Sequence, residues 1–352
     1  MPVRAAATFS LLWCGAVAAA LLPPAVAASP AAPALKGRLV YLTAEGVGTI
    51  DFGTPGAPAS LVPGSKGAVR CRTNGANSVS FYVPAGDGLI QQMWGLYRKD
   101  GYHGRTAPVP PQPDRQDDPY SSPSVSPRGF DAGLTQNLEL RGAAVLLCSD
   151  FRPFSDRKEE RTLFSAAEPD ALLTALGLSD RVPPPARREW SLAAPSLTWD
   201  GKTALFAANL GWRETAGRFW LVAVDAVTGT PRSVAPPFTG PLPARVWLHP
   251  FAPSTAVLVP VSAYRNTGDG AVIVPLNGGG PPVPLVKPGA LGPAAAVDSA
   301  CWSEDGRFVA VAWKRTGDAP VYRLRLYDAR TGRTVRNIPG ARRPHWGTFG
   351  DD

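Results

Sequence analysis

The chain has 352 residues, 44% of them hydrophobic, enough to bury a sizeable core in one large or two ordinary domains. Its 39 prolines and 36 glycines are spread throughout, which excludes a protein of long helices and suits short elements joined by turns. The formal net charge of +8 comes mostly from arginine and permits attraction to anionic surfaces without demonstrating it.

The N-terminus reads as an export signal over residues 1–27. Arg4 supplies the positive start, Ala5 to Leu22 is an uninterrupted apolar run, and Ala25–Ala27 is an A-x-A cleavage site. An uncleaved anchor is the rival reading, because the run just reaches spanning length; the small-residue site favours cleavage. "LLWC" at Leu11–Cys14 is rejected as a lipidation site, since Trp13 is too bulky and too little apolar segment precedes the Cys. Residues 28–35 are a linker, and residues 36–352 hold the folded domain with no later membrane span. Arg-rich, Lys-poor usage with abundant Ala and Pro points to a bacterium, and the expected location is periplasmic or secreted. After cleavage Cys71, Cys148 and Cys301 remain. An odd count excludes a fully paired disulfide scaffold, and buried apolar thiols are expected.

The domain opens with "KGRLVYLTAEGVGTIDFGTPGAPASLVP", which supplies three strands. A second unit starts at Gly67, with a turn at Asn74-Gly75. A Pro-rich insertion is expected over about 101–121. "SPSVSPRG" at Ser122–Gly129 opens the third unit, with strands at "AAVLLCSDF" and "RTLFSAAEP". A charged insertion over about 155–187 turns briefly helical at "EPDALLTALGL". The fourth unit begins at Ala194. "TALFAAN" and "RFWLVAVDA" are strands rich in β-branched and aromatic residues, and Asp200-Gly201 is a hairpin turn. "DAVTG" closes a further turn, where the Asp225 carboxylate accepts backbone N–H groups and Gly229 takes positive φ. "PRSVA" makes a short outer strand. The fifth unit carries strands at "AVLVPVSAY" and "AVIVPL". The sixth, from Asp298, repeats the fourth phrase for phrase: "EDG" turn, "RFVAVAWKR", "YRLRLYDA", "RTG" turn, "RTVRNI".

Four strands per unit at a period of about 50 residues predict propeller blades. The first unit lacks an opening strand, and "RPHWGTFGDD" at the other end resembles one, with Trp346 matching Trp302. The expected fold is all-β: a six-bladed β-propeller of four-stranded antiparallel blades, the first closed by the C-terminal strand. Such closure leaves no free edge between first and last blades.

"PSLTWDGK" keeps Pro195, Ser196, Asp200, Gly201 and Lys202, and "ACWSEDGR" keeps Trp302, Ser303, Asp305 and Gly306. These phrases resemble the TolB-like, WD-repeat-like family of six-bladed propellers, whose blades read roughly P-S-W-S-P-D-G-K before an apolar strand. "PSVSPRGF" departs from the pattern at Val125 and Arg128. The motif residues are turn and packing chemistry and assign no function. The resemblance implies binding of proteins in the bacterial envelope, or gating beside a peptidase, for which no length remains.

Catalytic and metal motifs are thin. His103, His249 and His345 show no metal-ligand spacing, and no cofactor or metal is expected. "SDRK" at Ser155–Lys158 lacks the companion motifs of a serine acyltransferase. "NGGG" at Asn277–Gly280 lacks the Lys of a phosphate loop. "DRQDD" at Asp114–Asp118 lacks the Gly and bidentate acid of a calcium loop. One pattern stands out. The segments that open the inner strands carry Arg70 and Arg72, Arg187 and Arg188, Arg245, and Arg342 and Arg343. Converging on one channel mouth, they would focus positive potential and favour an anionic partner. The expected function is an exported, monomeric, non-catalytic module binding an envelope protein or anionic ligand, and no nucleic acid. The alternative is a propeller hydrolase or lactonase with a metal in the central channel.

Overall fold

A computed structural model describes residues 37–347 except 55, 74–76, 99–100, 107–109, 114–121, 125–134, 142–144, 152–157, 166–168, 178–190, 198–201, 210–217, 235–236, 241, 244, 250–255, 262–267, 277–280, 292–293, 304 and 316–320. The export signal, the linker and the turns at Asn74-Gly75 and Asp200-Gly201 lie outside the described residues. Leu35–Asp352 forms one compact unit.

The described residues form six antiparallel sheets. The first joins β1 (Arg38–Leu42), β2 (Val47–Asp51) and β3 (Ser60–Leu61) to β26 (Arg342–Gly347), in the order β26-β1-β2-β3. The second runs β4 (Arg70–Thr73), β5 (Ser78–Gly86), β6 (Leu89–Arg98), β7 (Gly101–Thr106); the third β9 (Ser122–Ser124), β10 (Thr135–Arg141), β11 (Val145–Phe151), β12 (Lys158–Ser165). The fourth runs β13 (Ser191–Leu197), β14 (Thr203–Asn209), β15 (Arg218–Asp225), β16 (Pro231–Ser233). The fifth runs β18 (Trp247–Leu248), β19 (Ala256–Val261), β20 (Gly270–Pro275), β21 (Val283–Val286), and the sixth β22 (Ala295–Trp302), β23 (Phe308–Arg315), β24 (Val321–Asp328), β25 (Thr334–Pro339). A short helix, α1 (Pro169–Ala175), follows the third sheet. The architecture is the β-propeller that the repeat predicts, built from sequential four-strand meanders.

Apolar faces of neighbouring sheets are sealed by shared clusters. Leu205, Leu221 and Val259 join the fourth sheet to the fifth. Leu258, Val311 and Trp313 join the fifth to the sixth. Leu39, Ile50, Leu326 and Ile338 join the sixth to the first, and Val40, Val79 and Phe81 join the first to the second. The second strands β14 and β23 are buried on both faces and read as continuous apolar runs: "TALFAAN" and "FVAVAWKR" are buried over most of their length.

Two sheets depart from the expected four strands. β8 (Gln112–Pro113) pairs with β6, and β17 (Phe238–Thr239) pairs with β15. The cause is a length mismatch. β7 covers only Met93–Arg98 of β6, and β16 only Val222–Val224 of β15. The uncovered ladder groups recruit a second short strand, because unpaired backbone N–H and C=O groups are costly to bury. Gly101–Thr106, where the sequence places the start of a Pro-rich insertion, is the outer strand β7. Thr135–Arg141, a polar stretch with no strand signal, is β10.

Ring closure is visible in the register. Leu39 pairs with Trp346 and Val40 with His345, and the Trp346 ring lies flat on Phe52 at 5.1 Å. Arg38 then pins the first sheet to the second. Its guanidinium is buried 3.8 Å above the Tyr97 ring, donates to the Asp51 carboxylate at 3.0 Å and reaches Thr49 Oγ1 at 3.5 Å.

Gly48 tests the packing inside the first sheet. A Cβ there would lie 2.3 Å from Cε2 of Tyr41, a ring that is itself buried. Gly48→Ala is expected to cost about 1–3 kcal/mol through overpacking, read as a lowered midpoint in urea denaturation. An unchanged midpoint would show that Tyr41 does not pack against Gly48.

Candidate binding face at the opening ends of the inner strands

The inner strands are not straight. β13 slips register between Ala193 and Ser196, β22 between Val297 and Ser299, and β26 shifts opposite Val40 and Leu42. Ala194 and Arg343 adopt φ of 53° and 48° at these kinks, a region that non-glycine residues rarely occupy. A bulge with such a residue re-aims the side chains on either side of it.

At Arg343 the kink lets one residue touch three sheets. Its N–H donates to Ser299 Oγ of the sixth sheet at 3.0 Å. Its carbonyl accepts from the Cys71 thiol of the second sheet at 3.7 Å, and its Nη1 donates to the Val69 carbonyl at 3.0 Å. The neighbouring Arg342 goes elsewhere. Its guanidinium lies 4.9 Å from the Tyr322 ring centroid, and Nη1 donates to the Tyr322 hydroxyl at 3.4 Å.

The arginines named from the sequence are placed as follows. Arg70 and Arg72 lie in β4, half-buried and exposed respectively. Arg245 is half-buried, two residues before β18. Arg342 and Arg343 open β26. Arg187 and Arg188 lie outside the described residues. Arg343 and Arg70 are brought into one neighbourhood through Val69, whereas Arg342 turns outward to the seam between the sixth and first sheets.

That seam holds a depression of about 490 Å³. Tyr322, Arg323, Pro339 and Gly340 line it from the sixth sheet, and Arg342 and Ala44 from the first. Gly340 shapes it: at φ 71° its N–H donates to the Tyr322 carbonyl at 2.9 Å, turning the chain from β25 into β26. Sequence reasoning missed Arg323 and Tyr322. The signal was the alternation in "VYRLRLYDA", where Leu324 and Leu326 are buried and Arg323 is exposed.

The other end of each sheet carries the repeated turns, and they form as expected. Asp225 Oδ1 accepts from the N–H of Val227 and Thr228, both at 2.8 Å. Asp328 Oδ1 accepts from the N–H of Arg330 and Thr331 at 3.1 and 2.8 Å and from the Thr331 hydroxyl at 2.8 Å. Gly229 and Gly332 take φ of 72° and 69°. The backbone N–H groups of Thr228 and Val227 hold the Asp225 carboxyl below its usual range. At Asp328 partial burial opposes the same effect and the hydrogen bonds outweigh it. Both carboxylates act as turn staples.

His249 and the sixth-sheet turn also meet at this end. The Ser303 hydroxyl donates to Asp305 at 2.6 Å, and its oxygen accepts from Phe308 N–H at 2.9 Å. The His249 ring stands edge-on to Trp302 at 5.3 Å and covers Gly306 so closely that a Cβ would strike Nε2. Trp302 Nε1 in turn donates to the Trp247 carbonyl at 2.8 Å. Ser303 is buried and serves the turn rather than His249, so Ser, His and Asp here do not form a nucleophile and its base. Burial pushes the Cys71 thiol up to about 12, with Arg343 opposing, and burial also raises Cys301; neither is in a disulfide, and both pack against the core. The side chain of Cys148 lies outside the described residues. Among the described residues, no three His, Cys, Asp or Glu side chains group to hold a metal, and no helix is long and apolar enough to cross a membrane.

No family model and no curated protein matches the sequence. Solved structures do resemble the fold. TolB from Acinetobacter baumannii is 16% identical, with a TM-score of 0.47 over 88% of this chain and 66% of its own. A eukaryotic initiation factor is 8% identical, with a TM-score of 0.45 over 89% of this chain and 98% of its own. A structure from work on two prolyl endopeptidases is 15% identical, with a TM-score of 0.33 over 58% of this chain and 28% of its own. These are likenesses of fold, and the propeller assignment rests on the strand order itself.

Burial pulls the His249 pKa below its ordinary 6.5, with the Asp305 carboxylate opposing. The native state then binds fewer protons than the unfolded chain as pH falls below 6.5. Stability is therefore expected to be level above that pH and to fall on acidification toward the lowered native value. Melting temperatures of wild type and His249→Gln between pH 7.5 and 5 check this. The variant is expected to show the shallower decline, and parallel curves would contradict it.

Proposed function

We propose that the chain is an exported, non-catalytic propeller that binds an anionic partner in the bacterial envelope through the face where the inner strands open. The observation that carries this reading is positional. Arg70, Arg245 and Arg343 stand at or just before the opening of inner strands in three different sheets. Guanidinium groups on one concave face add their potentials, and low-dielectric walls focus them. The excess of eight positive charges over the full sequence, seven once Arg4 leaves with the signal, adds to the attraction. Support for an envelope location comes from the signal-like residues 1–27. The partner is a protein or other polymer with clustered carboxylates, held by guanidinium–carboxylate pairs.

The test is binding of polyglutamate to the mature protein and to an Arg70→Ala/Arg245→Ala variant, at several salt concentrations. The variant is expected to bind roughly tenfold more weakly and with a shallower salt dependence. Equal affinity and equal salt dependence in both proteins would remove the proposal.

A further inference from the structure

Arg342, in contrast to its neighbour Arg343, is turned out of the strand opening and into the depression at the closing seam. Three features single out that depression. It is a solvent-open hollow of about 490 Å³, roomy enough to admit one side chain and a carboxylate. Arg342 is already held, by the ring face and the hydroxyl of Tyr322, so it needs little ordering on binding. Arg323, exposed on β24, supplies a second guanidinium in the same lining. The rest of the lining is apolar or aromatic: Pro339, Tyr322, and Val321, whose side chain is half exposed at 52%. Glu45, exposed on the β1–β2 turn, places one negative charge next in sequence to the lining residue Ala44.

From this geometry we infer that the seam binds a single carboxylate carried on an apolar or aromatic body, the chemistry of a peptide ending in an apolar residue. The guanidinium of Arg342 takes the carboxylate through paired N–H donors, and Tyr322, Val321 and Pro339 take the side chain. The inference rests on the reading of the protein as a binder of anionic partners and names a distinct subsite for it.

Binding of acetyl-Gly-Gly-Phe to the full protein, followed by calorimetry, tests it against two other probes: the same peptide as its C-terminal amide, and phenylacetate. The free acid is expected to bind about tenfold or more tightly than the amide, since a charge-assisted pair is lost. Arg342→Gln is expected to abolish that difference and Arg323→Gln, at an exposed strand position, to lessen it through the lost second charge. Tighter binding of the peptide than of phenylacetate assigns the source as a chain terminus, and equal binding assigns it as a small carboxylate. Equal binding of acid and amide, no binding of any probe, or an acid preference that survives both substitutions would overturn the site. Polyglutamate binding separates the two levels. If it remains sensitive to Arg70 and Arg245 while the peptide fails, only the seam site falls; the reverse result removes only the opening-strand reading.

Discussion

Every sheet here has two edges, and an open row of backbone N–H and C=O groups is the constraint that shapes the molecule. Along the chain each meander satisfies it by pairing strands that follow one another in sequence, while the sheets pack face to face through apolar side chains. At the ends it cannot, because the first sheet begins at its second strand. Pairing of Arg342–Gly347 with Arg38–Leu42 solves this, and it does so with side chains as well as backbone. Trp346 caps the pair on Phe52, and Leu39 and Ile50 pack beneath it with Leu326 and Ile338 of the sixth sheet. The seam is therefore both the weakest place topologically and one of the most heavily stapled. Arg343 bonds to both flanking sheets, and Arg38 anchors the next one.

The same constraint shapes the face proposed for binding. A strand that arrives from the far end of the chain must bend to fit between two existing sheets. The bend at Arg343 sends consecutive arginines in different directions, one toward the second sheet and one across the seam. Arg343 donates one guanidinium N–H to Val69, whereas Arg342 rests on Tyr322 and lines the seam depression.

Much of the fold was legible. The turn chemistry of Asp225 to Gly229 and Asp328 to Gly332 depends on local groups only, so the repeated phrases predicted it residue by residue. The closing strand was legible because Trp346 occupies the place of Trp302 and the first unit lacked one strand. What failed to show depends on non-local causes. The fifth strands arise where an outer strand is shorter than its neighbour, which no local pattern records. β10 is a polar stretch given its conformation by partners on both sides. For the arginines, the sequence located the positions at the strand openings and could not tell where each side chain turns, because that is set by a bulge and a positive φ at Arg343.

Closure by β26 is the claim on which the seam, its depression and the arrangement of the opening strands all rest. Hydrogen exchange of the β1 amides in the intact protein and in a form ending at Ala341 measures it most directly. The account predicts strong protection of Val40 and Leu42, whose amides face β26, in the intact protein and its collapse in the shortened form, together with a melting temperature lowered across the whole domain. Equal protection and equal melting in both would contradict it.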